Sequence, residues 1–267
     1  MTDVNRFGGY DDGPVFAEYY DHTPPYNGRP DIDFYRDLAA SVGGKILELG
    51  CGTGRILIPS AVAGCRIVGL ENSEFMIARC GAKLQNQPEE VQERVQLVRG
   101  NMIDFDLKQT FDLITAPFRA LQYLISVEQQ ISCLHCVSRH LKVGGRFVFD
   151  VFQVDPSRID NPELTEEAEE FADVLLPDGR RLGRSHRIAA FHRAEQYNDV
   201  ELIFHVTYPD GGTQRLVLSF PFRYFFRYEV EHLLALTGFK VIHLFGNFDR
   251  SELTDRSDEM VFVAEKC

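Results

Sequence analysis

A doubly wound α/β fold is the class this 267-residue chain predicts, with a seven-stranded, mostly parallel sheet and an antiparallel β insertion. Three observations carry that expectation. Apolar runs of strand length alternate with helical patterns from residue 31 to residue 151, the rhythm of parallel βαβ units. The first run, 46–49, enters three alternating glycines, Gly50, Gly52 and Gly54, as a buried strand turning sharply into a helix requires. Between 153 and 226 the pattern changes to short alternating stretches and turn signals, which interrupts the α/β rhythm before it resumes.

Residues 1–30 are rich in Gly, Pro, Tyr and Asp and read as an irregular arm. Within it, Thr23-Pro24-Pro25-Tyr26 is expected to be a plain extended turn, because proline disfavours helix at the residue before it. Phe34, Leu38 and Val42, spaced by four, predict a helix over 31–42. A second strand over 65–70 ends at Glu71, and Asn72-Ser73 caps a helix bearing Phe75, Met76, Ala78 and Ala82. Strands follow at 95–99 and 111–116. Ser126 and Gln129 form a capping box for a helix carrying Ile131, Leu134 and Leu141. Gly144-Gly145 is expected to end that helix before a fifth strand at 146–151.

The acidic stretch 162–173 reads as a solvated helix or loop, and Pro177-Asp178-Gly179 and Pro209-Asp210-Gly211-Gly212 read as hairpin turns. Leu202, Phe204, Val206 and Tyr208 alternate with Ile203, His205 and Thr207, as in a sheet with one covered face. A helix around 229–237 stops at Gly238, and strands at 239–245 and 259–265 complete the sheet. The expected organisation is an arm at 1–30, a core at 31–152 and 227–267, and an antiparallel insertion of three or four strands at 153–226.

Forty acidic against 28 basic residues give a net charge of −12, which repels phosphates and argues against a nucleic-acid partner. A local basic group (Arg180, Arg181, Arg184, Arg187, Arg193) reads as a solvated face or an anionic-substrate contact. The sequence has no apolar run long enough to span a membrane. Met1-Thr2-Asp3-Val4-Asn5-Arg6 lacks the order of a signal peptide, so a cytoplasmic location is expected. Six scattered cysteines do not make a disulfide framework. Cys133-Leu134-His135-Cys136 lies in a helical pattern without a second ligand pair, which favours small buried residues over a metal site.

The chemistry concentrates at the glycine turn. Glycine there leaves room for a ligand against the main chain, and a helix N-terminus would add donors. Glu48 puts a carboxylate at the lip of that crevice, and Glu71 falls about 20 residues after the first glycine, where doubly wound folds place an acid against ribose hydroxyls. The dinucleotide fingerprint would need glycine at 55, where this chain has Arg55. The pattern E-x-G-x-G-x-G instead resembles motif I of the class I S-adenosylmethionine-dependent methyltransferases, the small-molecule type included.

Further motifs resemble the same family. Gly100-Asn101-Met102-Ile103-Asp104-Phe105 is similar to its G-D-M-x-D-F segment, whose first acid takes the adenine amine; Asn101 keeps an acceptor oxygen but no charge. Tyr19-Tyr20-Asp21 resembles the Tyr-Asp that many members fold over the cofactor. Thr115-Ala116-Pro117-Phe118 lacks the polar first residue of the tetrad found in base-amino methyltransferases. The resemblance implies a Rossmann-like core with S-adenosylmethionine as cofactor, contacted by Tyr20, Glu48, Gly50, Cys51, Gly52, Gly54, Glu71, Asn72, Asn101, Met102 and Ala116. It implies substrate-facing positions at Phe118, Arg119, Gln122, Tyr123 and Tyr224.

Methyl transfer to a nitrogen or oxygen of a small molecule is the expected activity. A nicotinamide-dependent oxidoreductase and a non-catalytic cofactor-binding protein are the alternatives. No catalytic base or metal ligand is assigned; His186, His192, His205 and Tyr224 read as structural. The aromatic run Phe220, Phe222, Tyr224, Phe225, Phe226 and Tyr228 reads as sheet packing or as a roof that attracts a cation. A homodimer formed through the insertion is the expected assembly.

Overall fold

The structure, a computed structural model, describes residues 13–267. The segment read for a signal peptide, with the start of the arm, lies outside the described residues. In chain order the elements are α1 (Pro14–Asp21), α2 (Pro24–Asn27), α3 (Asp31–Val42), β1 (Lys45–Leu49), α4 (Leu57–Val62), β2 (Arg66–Glu71), α5 (Glu74–Gln85), α6 (Glu89–Gln92), β3 (Val95–Arg99), β4 (Phe111–Ala116), α7 (Val127–His140) and β5 (Leu141–Phe152). They continue as β6 (Ala168–Leu175), β7 (Arg181–His192), β8 (Tyr197–Thr207), β9 (Thr213–Arg223), α8 (Arg227–Leu236), β10 (Phe239–Phe245) and β11 (Glu259–Lys266). The chain divides into two compact units. One joins the residues up to Gly28 with Val154–Arg223, the other joins Arg29–Gln153 with Tyr224–Cys267.

The larger unit is built on a seven-stranded sheet in the order β10-β11-β5-β4-β1-β2-β3. β1 pairs in parallel with β2 and β4, β2 with β3, and β4 with β5; β11 runs antiparallel to β5 and β10. The chain leaves β1 toward β2 and later returns on the other side at β4. A switch of direction of this kind opens a crevice outside the carboxyl ends of the two strands. The strands between are buried on both faces, so they read as continuous apolar runs: Ile46, Leu47 and Leu49 in β1, and Leu113 and Ile114 in β4, are at most 1% exposed. Ser73 caps α5 through the Met76 amide, and Ser126 with Gln129 forms the capping box of α7. Gly144-Gly145 does not separate helix from strand. α7 passes straight into β5 at Leu141, and the two glycines lie within the strand, where its register against β4 shifts.

The smaller unit carries a four-stranded antiparallel sheet in the order β6-β7-β8-β9. The arm is more regular than its composition suggests: α1 lays Phe16 and Tyr19 on this sheet, with ring centroids 5.7 and 5.5 Å from Phe204. Thr23-Pro24-Pro25-Tyr26 is a helix start, since Pro24 and Pro25 occupy first-turn positions where a missing N–H costs nothing. The acidic stretch resolves into a short 3-10 turn, Pro162–Thr165, and the edge strand β6, whose charged side chains suit an edge.

Candidate functional site

The glycine turn follows β1. The amides of Gly50 and Cys51 both donate to the Leu70 carbonyl, at 2.8 and 3.1 Å, which ties the turn to the end of β2. Gly52 has φ +54, a region costly for other residues, and a β-carbon there would meet only the Met76 methyl at 3.4 Å. On Gly50 a β-carbon would stand 3.4 Å from Ala120 Cβ and 3.9 Å from Met102 Cε. Gly54 is small for a different reason, because a β-carbon would come within 2.7 Å of Cys80 Sγ. The helix expected at the turn begins only at Leu57 and is six residues long. Turn amides, and not a helix N-terminus, are therefore the donors nearest the crevice.

Glu71 organises those amides. Its carboxylate accepts from Gly52 N–H and from Ser73 N–H, each at 2.8 Å. Glu48 does not lie exposed at a lip. It is 2% exposed, its Oε2 lacks a hydrogen-bond partner, and burial pushes its acid dissociation well above the usual carboxylate range. Cys51 is buried, and its hydrogen bond with the adjacent Cys80 thiol, together with burial, raises its pKa. Asn72 and Asn101 are exposed. Asn101 caps its own turn by accepting from Ile103 N–H at 3.2 Å. Met102 is half-buried and Ala116 fully buried.

The exit of β4 is held by a buried charge network that sequence reasoning missed. Phe118 and Arg119 are successive non-glycine residues at φ +56 and +63, each costing roughly 1–2 kcal/mol. Asp150, fully buried on β5, accepts from the amide of Phe118 at 2.9 Å, the amide of Arg119 at 3.2 Å, and the Tyr35 hydroxyl at 2.7 Å. Glu259 accepts from Arg29 at 2.6 Å and Arg119 at 2.5 Å. Arg55 makes a two-pronged pair with buried Asp31 at 2.8 and 2.6 Å. The Phe118 ring is flanked by Arg29 and Arg55, with guanidinium carbons 5.2 and 4.5 Å from its centroid. One signal was available: an acid at 150 inside the apolar run Phe147, Val148, Phe149, Val151.

Burial, and next the Glu259 charge, raise Asp150 from 3.8 to about 6. A carboxyl raised by folding contributes stability that is fully present below its unfolded value and is lost as pH rises through its folded value. Unfolding free energy should therefore fall by about 3 kcal/mol between roughly pH 4 and 6 on this account. The loss should be missing from Asp150→Asn; urea melts of both proteins across that range check it.

Among the other substrate-facing candidates, Gln122 is fully buried and accepts from the Phe152 amide at 3.1 Å, Tyr123 is exposed, and Tyr224 is buried against Phe226 at 6.1 Å. Phe226 and Tyr228 are exposed, whereas Phe220 and Phe222 belong to the smaller unit and pack edge to face at 5.8 Å. Tyr20 lies in that unit too, its ring 4.9 Å from Tyr26. The basic group is not a free cationic face. Arg180 pairs with Glu18 and Asp178, Arg181 with Asp173, Arg187 with Glu201 and Arg193 with Asp160; Arg184, 1% exposed, grips Glu170. His192 and His205 sit beside Asp199 and Glu167, and His186 is 3.9 Å from Glu170. Cys133 and Cys136 are buried thiols, and no cluster of metal-ligating side chains occurs among the described residues.

A nucleoside bearing hydroxyls and a charged sulfur fits these residues. Gly50 and Gly52 carry no side chain in left-handed conformations, the Glu71 carboxylate lies beside them on the Gly52 amide, and Glu48, two residues before Gly50, holds an unpartnered buried oxygen. Known proteins agree. A family model described as a methyltransferase domain matches residues 46–145. The cypemycin N-terminal methyltransferase of a Streptomyces species is 25% identical over 84% of each chain. The dTDP-3-amino-3,4,6-trideoxy-alpha-D-glucopyranose N,N-dimethyltransferase of Streptomyces venezuelae is 27% identical over 76% of this chain and 78% of the relative. The solved CcbJ methyltransferase from Streptomyces caelestis is similar with a TM-score of 0.76 and 25% identity, covering 97% of this chain and 98% of that one. The glycine turn on a doubly wound sheet and these similarities lead to one assignment: residues 46–145 form a methyltransferase domain, and along most of its length the chain is similar to S-adenosylmethionine-dependent methyltransferases.

Proposed function

We propose that this enzyme transfers a methyl group to an amine nitrogen of a small molecule, such as an amino sugar or the free amino end of a short peptide. The observation that carries this reading is the likeness, along most of the chain, to two relatives whose names specify methylation at nitrogen. The net charge of −12 supports it, since an acidic surface draws cationic amines and repels polyphosphate backbones. The methyltransferase-domain match over 46–145 and the named relatives speak against the nicotinamide alternative.

S-adenosylmethionine supplies a methyl group activated by its attachment to a sulfonium. In this reading Gly50 and Gly52 admit the nucleoside against the backbone. Glu71, held on the Gly52 and Ser73 amides, orients the ribose with its carboxylate. Asn101 accepts from the adenine amine. Tyr123 and Arg119, past the end of β4, face the acceptor. Their task is alignment, because an in-line displacement responds chiefly to orientation, worth about 7–11 kcal/mol of barrier. The acceptor nitrogen has to be uncharged to attack, so activity should rise with pH toward the amine's own pKa.

No helix among the described residues is long and apolar enough to cross a membrane. The free state of all six cysteines supports a cytoplasmic setting. The edge strands β6 and β9 are the surfaces for a homodimer in this reading. The deciding experiment incubates the purified protein with methyl-labelled S-adenosylmethionine and a panel of amino sugars, peptides, hydroxylated analogues and tRNA. Label on amine nitrogen of a small molecule is the expected result. Label confined to hydroxyls or to tRNA would overturn the proposal.

A further inference from the structure

The buried carboxylate of Asp150 does something that no folding requirement of β5 explains. The strand is apolar around it, and burial with Glu259 nearby opposes its charge. An apolar side chain would pack there at less cost. What an apolar side chain could not do is accept two successive amides. Phe118 and Arg119 present those amides from left-handed conformations, and neither residue is a glycine that would adopt them freely. Ala120 comes next in the chain, and its methyl lies where a β-carbon on Gly50 would touch it. The turn after β4 is thereby one wall of the crevice beside the glycine turn.

We propose that Asp150 is a positioning residue for the cofactor crevice: its carboxylate, acting through the amides of Phe118 and Arg119, holds the left-handed turn that seats Ala120 against Gly50. The surroundings restrict it to that task. Tyr35 on α3 donates to the same oxygen as Phe118, the nearest Arg29 nitrogen stands 3.7 Å away, and Glu259 and Asp31 add negative charge. Arg29 balances the charge from 3.7 Å, while the Tyr35 hydroxyl and the two main-chain donors fix its direction. The proposal rests on the reading that this crevice takes S-adenosylmethionine.

The test uses Asp150→Asn, which keeps the size but turns one acceptor oxygen into a donor facing an N–H. Two quantities are measured on the full chain: amide exchange at Phe118 and Arg119 by NMR, and S-adenosylmethionine affinity by calorimetry. The expected result is at least tenfold faster exchange at those two amides, with β1 and β2 amides unaffected, and roughly tenfold weaker binding. Arg119→Gly provides a readout that a purely structural role would not move. Glycine tolerates the positive φ without help, so in that background Asp150→Asn should weaken binding less than threefold. Unchanged exchange, or binding within twofold of wild type, overturns the proposal. Should the asparagine variant not fold, exchange in the wild type decides: protection like that of central strands supports the grip, and solvent-like rates overturn it. Failure of the wild type to bind S-adenosylmethionine would sink both this proposal and the reading beneath it, whereas normal binding by the variant sinks this one alone.

Discussion

Gly52→Val is expected to abolish S-adenosylmethionine binding while leaving the fold in place. The main chain at this position has φ +54, where a β-branched residue is strained by roughly 1–2 kcal/mol. The β-carbon itself would rest 3.4 Å from the Met76 methyl, an ordinary contact, so the neighbouring helix α5 need not move. The added methyls fill the space a nucleoside needs, and the Gly52 amide that Glu71 holds is pushed out of line. Calorimetry should register no binding to the variant, a loss of more than a hundredfold. Its thermal midpoint should fall by only roughly 2–8 °C. Retained affinity would mean that the cofactor does not lie against this turn.

Arg55→Ala should strongly destabilise the larger unit. The guanidinium is 8% exposed and spans both oxygens of Asp31, which is fully buried. Its removal leaves that carboxylate with only the Arg29 Nε at 3.2 Å and strips one cation from the face of Phe118. Breaking a buried pair by deleting one partner costs about 3–5 kcal/mol, because the survivor stays charged in a low dielectric. Thermal denaturation should show a midpoint lower by about 10 °C. Arg55→Lys should recover little, since an ammonium cannot span two oxygens. Arg36→Ala is the control: its pairs with exposed Asp33 and Asp37 lie in solvent, and their loss should leave the midpoint almost unchanged. Equal midpoints for the Arg55 and Arg36 variants would refute this account.

Arg55 shows how far the sequence could be read. Its presence at a place where dinucleotide enzymes need glycine was enough to separate two cofactor classes. What Arg55 does instead, reaching Asp31 in α3, was invisible. Glu71 behaved similarly: its distance from Gly50 marked it as an acid beside the turn, but not as the acceptor that joins the Gly52 amide to the start of α5. Helix and strand periods located the sheet because a strand buried on both faces is apolar throughout, as in β1 and β4. The passage from α7 to β5 was misplaced because Gly144-Gly145 carries the same signal whether it ends a helix or bends a strand. The basic group in the smaller unit looked free because its acids, from Glu18 to Glu201, are dispersed in sequence.

The sequence alone determined the strand order's raw material, the glycine turn, the acid that follows it and the resemblance they carry. All of these are encoded in periods and spacings within a few tens of residues. Only the tertiary structure decided that Asp150 grips the turn after β4, that Glu259 joins Arg29 to Arg119, and that Glu48 is buried. Charges find partners by distance in space, and a doubly wound sheet brings together residues as far apart as 29 and 259. No local pattern records such a meeting, because it comes into being only when the strands are laid side by side.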